Sequence, residues 1–237
     1  MRQARTKCDG PRMRLSIVIP TLEEAQGIAA TLETLQALRA NGHEVIVVDG
    51  GSADATIELS QPFADRAIVA ATGRSRQMNE GAKIATGDIL LFLHADSLLP
   101  ADAADAIAAA LDSGHRWGRF DVTISGGART LSLVARMMNL RSRWTGIATG
   151  DQGIFVERKL FAEIGGYPDI PLMEDIALSK ALKRNGGRPA CLRARIVTSG
   201  RRWERLGPWR TILAMWRLRL AFALGADPAK LARRYDN

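Results

Sequence analysis

Cysteine is nearly missing from this chain. Only Cys8 and Cys191 occur among 237 residues. They are too few and too far apart for a disulfide framework, and their spacing suits no thiolate metal site. That favours a reducing compartment, so a cytoplasmic location is expected. No apolar run is long enough to span a bilayer. The basic stretch 1–14 is followed only by the short apolar run 15–19, so no secretory signal is expected. The chain lacks G-x-G-x-x-G and G-x-x-x-x-G-K-[ST], which removes the usual dinucleotide and P-loop phosphate sites. It has no Ser elbow for acyl transfer and no H-E-x-x-H for zinc. Repeats are absent, and no linker divides the chain.

What is present fits one large α/β unit. Apolar residues make up 46% and charged residues 24%, the ordinary balance of a globular protein. The net charge of +8 is unevenly placed. Residues 201–237 carry nine Lys/Arg against three acids, and residues 1–14 carry five against Asp9. The body between is slightly acidic. Basic ends on such a body do not stripe a folded face, so no nucleic-acid partner is expected. A basic tail that carries tryptophans suits an anionic membrane surface better.

Taken in order, the chain alternates strands and helices. Strands are expected over 15–19, 44–48, 66–70 and 89–93. Between them lie helices, the first opened by Thr21-Leu22-Glu23-Glu24 read as a capping box, with Thr21 as N-cap. A helix over 73–85 carries Arg74, Arg76, Gln77 and Asn79. This β-α-β-α-β-α-β start with short connections predicts a single, mostly parallel, Rossmann-like sheet flanked by helices. Further on, a helix over 101–111, a strand near 117–124, a helix over 131–144 and a strand within 150–156 are expected. A helix opening at Glu174-Asp175, a last strand over 190–197 and a helix from Gly207-Pro208 to about Leu224 complete the chain. Residues 1–14 read as a flexible lead-in, 15–206 as the main domain, and 207–237 as a basic amphipathic helix and tail.

Three strand ends carry polar clusters at one edge of the sheet. They are Pro20-Thr21 with Glu24, Asp49 with Gly50-Gly51, and His94-Ala95-Asp96. Open α/β sheets hold ligands at that edge. Residues i and i+2 of an extended chain point the same way, so His94 and Asp96 leave the core strand together. A carboxylate there can take a hard divalent cation, and the cation can take a diphosphate. Asp49 is placed to accept from a base or ribose. Arg74 and Asn79 can meet a diphosphate from the following helix. Each residue also has an ordinary reading: Asp96 as a helix cap, Asp49 as a turn residue, the arginines as a solvated face. Glu174-Asp175 at a helix start is either a capping pair favoured by the dipole or a general base held ionised there.

The quoted stretches resemble the family 2 glycosyltransferases of the GT-A fold, and most of all a small bacterial, radical-SAM and selenodomain-associated branch. The matching segments are Ile17–Glu24, Val47–Thr56, Gly73–Ala82, Gly87–Asp96, Gly150–Gly153 and Met173–Asp175, in the family's order over about residues 15–185. The resemblance implies that Pro20, Thr21, Glu24 and Asp49, with Gly51, Arg74, Asn79 and Ala95, hold the nucleotide. It implies that Asp96 carries Mg²⁺ or Mn²⁺ and that Asp175, beside Glu174, is the catalytic base; His94, in the place of the usual first Asp, is read as a second metal ligand or as a donor to the diphosphate. Asp151 and Gln152 are placed by the sugar or acceptor. The chain departs from the family's pattern at His94, where Asp is usual, at Glu23 for Asn, and at Gly50 for a second Asp.

The expected reaction is metal-assisted, inverting sugar transfer from a nucleoside diphosphate sugar, with a UDP-sugar favoured, to an acceptor hydroxyl. Two other readings stay open: a nucleotide-sugar-binding module that has lost catalysis, and a sugar nucleotidyltransferase of related fold. The C-terminal helix has two readings as well. It docks on the body or on a second copy in a homodimer. Otherwise it lies on the inner face of the membrane, presenting Trp209 and Trp216 to lipid and bringing the site to a lipid-linked acceptor.

Overall fold

The apolar runs decide the architecture. A computed structural model describes residues 13–127, 129–201, 203 and 207–236. One sheet contains β1 (Leu15–Thr21), β2 (Glu44–Asp49), β3 (Arg66–Val69), β4 (Ile89–Phe92), β5 (Ser97–Leu98), β6 (Trp117–Ile124), β7 (Ile154–Glu157) and β8 (Ala190–Thr198). Their spatial order is β3-β2-β1-β4-β7-β6-β8-β5. β1 pairs in parallel with β2 and β4, and β2 with β3. β7 opposes both β4 and β6, β8 follows β6, and β5 opposes β8. Among the described strands, only β5 and β7 run against the rest, so the sheet is mostly parallel as expected.

The helices are α1 (Ile28–Glu33), α2 (Gln36–Ala40), α3 (Thr56–Ser60), α4 (Arg74–Ile84), α5 (Ala103–Asp112), α6 (Arg129–Thr145), α7 (Arg158–Glu163), α8 (Glu174–Gly186), α9 (Pro208–Ala223) and α10 (Pro228–Asp236). Strand alternation sorts the core to two faces of the sheet. Leu15, Ile17, Ile19, Val45, Val47 and Leu91 face α1 and α5 through Ile28, Leu32 and Ile107. Val18, Ile46, Val48, Leu90 and Phe92 face α4, α7 and α8 through Met78, Leu160 and Leu178. Burial on both faces explains why these strands read as continuous apolar runs.

Several boundaries differ from expectation. The segment after β1 does not form a helix at Thr21; α1 starts at Ile28. The Thr21 hydroxyl donates instead to Asp49 across the strand ends, at 3.1 Å. The capping box of this chain is elsewhere. At Thr149-Gly150-Asp151-Gln152 the Gln152 Oε1 accepts from the Thr149 N–H (3.2 Å), closing a short 3₁₀ turn ahead of β7. Of the flexible lead-in, residues 1–12 lie outside the described residues. Met13 packs on the core and Arg14 donates from its N–H to Asp88, so these two belong to the body.

The C-terminal helix is apolar on more than one side. Leu218 and Thr211 are buried and Ile212 is half-buried, whereas Leu213, Trp216, Leu220 and Leu224 stand exposed. The expected single face therefore splits, with Ile212 turning inward; the side chain of Trp209 lies outside the described residues. Leu218 meets Leu231 of α10, Met173 and Ile176 in one small core. The last two helices thus buttress the start of α8.

Candidate active site

The C-terminal ends of β1, β2 and β4 converge, as parallel neighbours in register must. Asp49 ends β2 and is almost fully buried. Its Oδ1 accepts from the N–H groups of Gly51 (2.9 Å) and Ser52 (2.7 Å). Its Oδ2 accepts from the hydroxyls of Ser52 (2.6 Å) and Thr21 (3.1 Å). Two carboxylate oxygens offer about four acceptor positions, and here all four are filled. Asp49 therefore fastens the loop, and the expectation that it accepts from a base or ribose is corrected. Gly51 takes φ +89°, the left-handed turn that lets its N–H reach back to Asp49.

Two further residues of the expected set turn out to be fasteners. Asn79 exchanges a pair of hydrogen bonds with the backbone of Tyr167, donating to its carbonyl and accepting from its N–H, both at 2.9 Å. It is used up as a clamp, not presented to a diphosphate. Gln152 is fully buried, with its carbonyl on Thr149 and its amide directed to Asn139 at 3.4 Å. It does not face a sugar or acceptor. Gln77, which sequence reasoning left unassigned, donates to Thr21 O (2.7 Å) and Val48 O (2.8 Å) and so ties β1 to β2.

A cavity of about 250 Å³ gathers Arg74, His94, Asp96, Asp151, Glu174 and Asp175. Asp96 and Asp175 thus line one pocket, although they come from the β4–β5 turn and from α8. Pro20, Glu24 and Ala95 stay at the same strand ends. Arg201, just past β8, places its Nη2 at 3.4 Å from Glu24 and 3.5 Å from Asp96. Arg201 has no expected role beyond its charge; its position directly after the last strand is the available signal.

The start of α8 carries the carboxyl pair Glu174 and Asp175. Met173 sits in the left-handed region (φ 68°), a costly geometry for a residue that carries a Cβ and one that recurs at functional sites. Glu174 is buried and pairs with Arg74 at 3.3 Å. Asp175 accepts from the N–H of Gly150 (3.0 Å) and of Ile176 (2.7 Å). Burial and then the Glu174 charge push the Asp175 carboxyl up to about 6, and the two N–H groups and Arg74 oppose this only in part. A carboxyl so placed takes a proton readily near neutral pH.

His94 is positioned by the same turn. A Cβ on Gly150 would lie 2.3 Å from His94 Nε2, so only glycine lets the ring in. Nδ1 is 3.3 Å from Asp151, and Nε2 is buried with no hydrogen-bond partner among the described residues. The Gly150 turn therefore seats the His94 ring, with Nδ1 toward Asp151 and Nε2 unspent among the described residues. Among the described residues no group of three His, Cys, Asp or Glu forms a metal cage. The donor set fits a different arrangement. Mg²⁺ and Mn²⁺ take one or two carboxylates and complete their shell with phosphate oxygens and water. Asp96, a third exposed and met among the described residues by Arg201 at 3.5 Å, offers such a carboxylate.

The sequence model described as "Glycosyl transferase family 2" matches residues 16–156, more than half of the chain. The chain belongs to glycosyl transferase family 2. It is also similar to a PGL/p-HBAD biosynthesis glycosyltransferase of Mycobacterium tuberculosis, at 34% identity over 173 residues. That match covers 64% of this chain and 62% of the relative, so the chain spans about three fifths of the length of the curated relatives it matches. Among solved structures, residues 1–349 of S. aureus TarS in complex with UDP-GlcNAc align with TM-score 0.64 and 19% identity, covering 79% of this chain and 58% of that one. The mannosyltransferase PcManGT of Pyrobaculum calidifontis, in complex with GDP-Man and Mn²⁺, aligns with TM-score 0.62 and 23% identity, over 89% and 61%. At these identities the likeness shows the fold, which is GT-A.

Proposed function

We propose that this family 2 chain is an inverting glycosyltransferase, and that Asp175 is its general base. The observation that carries the reading is the Asp175 carboxyl, raised to about 6 and lining one pocket with Asp96 at the end of β4. Asp175 takes the proton of an acceptor hydroxyl. The hydroxyl oxygen forms a bond to the anomeric carbon as the bond from that carbon to the nucleoside diphosphate breaks on the opposite face, which inverts the centre. Glu174 keeps Asp175 basic through like charge, and its ion pair with Arg74 ties that charge to the start of α4. Arg74 and Arg201 are the cations nearest the leaving diphosphate in this reading. Asp96 would hold Mg²⁺ or Mn²⁺, which supplies positive charge against the leaving group.

Pro20, Thr21, Glu24, Gly51 and Ala95 shape the nucleoside end. Asp151, half-exposed, remains the residue assigned to the sugar or acceptor. A UDP-sugar is the donor we favour, since TarS binds UDP-GlcNAc; PcManGT binds GDP-Man, so the base is what the experiment must separate. The motif stretches support a further reading, that the chain belongs to the small radical-SAM and selenodomain-associated branch. A thermal-shift screen of nucleotide sugars with Mn²⁺ is the direct test. One donor at a hundredfold its Kd adds about 2.7 kcal/mol of stability. If no nucleotide diphosphate stabilises the chain, the reading fails.

No helix among the described residues is long and apolar enough to cross a membrane. The exposed stripe Leu213, Trp216, Leu220 and Leu224 on α9, beside Arg210 and Arg217, supports peripheral contact with an anionic inner membrane face. Co-sedimentation with anionic vesicles at low salt is the expected result. Concentration-dependent dimerisation without vesicle binding would assign the stripe to a second copy instead.

A further inference from the structure

The catalytic pocket does not end at Asp175. A second cavity of about 440 Å³ runs between α6 and α9 and shares Asp151, Trp203, Met215 and Arg219 with the first. Its volume lies in the usual range for small-molecule sites. Most of its wall is apolar, built by Val134, Met138 and Ile212, with Trp144 and Trp216 standing largely exposed. Aromatic rings left open beside a catalytic pocket are costly to hydrate and gain by covering an apolar ligand.

Arg141 of α6 breaks this apolar lining. Its Nε and Nη2 are buried, and among the described residues neither has a hydrogen-bond partner. Burial pushes the guanidinium below its ordinary value, while the charges of Asp175 and Asp151 pull it back up. So Arg141 lies within electrostatic reach of the catalytic carboxylate without bonding to it. A guanidinium desolvated in this way is expensive unless an anion meets it. Arg119 of β6 adds a like charge rather than a partner.

We propose that this groove binds the acceptor, and that the acceptor is an amphiphile. Its head group carries the reacting hydroxyl and a carboxylate or phosphate that Arg141 clasps, and its apolar body lies between α6 and α9. The word acceptor rests on the glycosyl-transfer reading above. The preference for an anionic amphiphile rests only on Arg141 and the apolar walls. The shared wall at Asp151 sets the groove beside the pocket that Asp175 lines, which is the adjacency the reaction needs.

The test compares two probes on the full chain: 11-bromoundecanoate and 11-bromoundecan-1-ol, read by bromine quenching of tryptophan fluorescence. Saturable quenching by both is expected, with the carboxylate at least roughly tenfold tighter, the scale of a hydrogen bond to a charged group. Arg141→Gln should erase that preference and leave the alcohol within about twofold. Arg141→Lys should keep part of it. Equal binding of the two probes to the unaltered chain overturns the role of Arg141 and needs no variant to fold. Quenching that never saturates, or that inorganic phosphate alone competes away, overturns the amphiphile. UDP and GDP titrations run alongside. A chain that binds the carboxylate at Arg141 but no nucleotide diphosphate keeps the groove and overturns its role as acceptor site.

Discussion

The two ends of the cleft treat their polar groups in opposite ways. At the end proposed for the donor, Asp49 and Gln77 spend their hydrogen-bonding capacity locking β1, β2 and α4 together, and Asn79 spends its own tying α4 to the backbone of Tyr167. Toward α6, His94 Nε2, Arg119 Nε, two nitrogens of Arg141 and Ser142 Oγ are the buried side-chain atoms left without a partner among the described residues. Buried polar groups are nearly always paired, so each exception asks for an explanation. The contrast separates residues that build a shape from residues that wait for something to fill it. A satisfied carboxylate such as Asp49 makes the nucleoside end rigid before any donor arrives. An orphaned guanidinium stores free energy that a ligand can release.

Asp175 stands between the two ends, and altering it gives the largest expected effect. Asp175→Asn should lower kcat by roughly two to four decades while donor affinity, measured by titration, is retained. The unaltered enzyme should lose about tenfold in kcat/KM per pH unit below about 6, since the base must be ionised. The stability sign is opposite to that of a salt-bridged carboxylate. The folded-state value lies above the unfolded one, so stability is lost as pH rises through about 6, and Asp175→Asn should match or exceed the wild-type Tm at pH 8. Near-normal turnover in the variant would remove Asp175 from the mechanism.

Much of this was legible in the chain itself. Continuous apolar runs announced a sheet buried on both faces, and the strand ends at Thr21, Asp49 and Asp96 were correctly brought to one edge. What the residues could not show was which polar groups face inward. Asn79 meets Tyr167 across 88 positions, and Gln77 meets Thr21 across 56. Those bonds exist only after parallel strands and their crossovers are assembled, so the same motif reads as a binding set or as a clamp. Thr21 and Glu24 have capping-box spacing, but the Asp49 carboxylate outcompetes a helix N–H for the hydroxyl. The capping box at Thr149–Gln152 shows the same T-x-x-[EQ] signal and was passed over because the segment also reads as the entry to a strand. Arg141 carries no local signal, since nothing near it in the chain reveals that its guanidinium nitrogens are buried.

The donor end can be tested by removing a fastener. Gln77→Ala leaves the Thr21 and Val48 carbonyls without their donor and opens a cavity, for an expected loss of about 2–4 kcal/mol in urea denaturation. Nucleotide affinity should fall with it, because β1 and β2 lose their tie. A loss below about 1 kcal/mol would mean that the strand ends hold together without these bonds.

Asp96→Ala probes the middle of the cleft with a smaller effect. Donor affinity in Mn²⁺ should fall about 10- to 100-fold with little change in stability, and EDTA on the unaltered chain should reproduce the loss. If EDTA and the substitution are both silent, Asp96 serves Arg201 rather than a cation.

The smallest effect sharpens the comparison most. At a satisfied site, loss of a polar side chain must destabilise, as for Gln77. At Arg141 the sign should reverse. Its guanidinium is desolvated, has two nitrogens without partners, and lies near the like charge of Arg119. Arg141→Met keeps the length and apolar contact of the stem while removing the uncompensated charge, and replacing buried charge by a well-packed apolar residue is commonly neutral or stabilising. The expected gain is about 1 kcal/mol, read as a higher urea midpoint with an unchanged m-value. A loss of more than about 1 kcal/mol would show that Arg141 is already stabilised in the free chain. The acceptor end would then be as fully satisfied as the donor end, and the groove would need a different occupant.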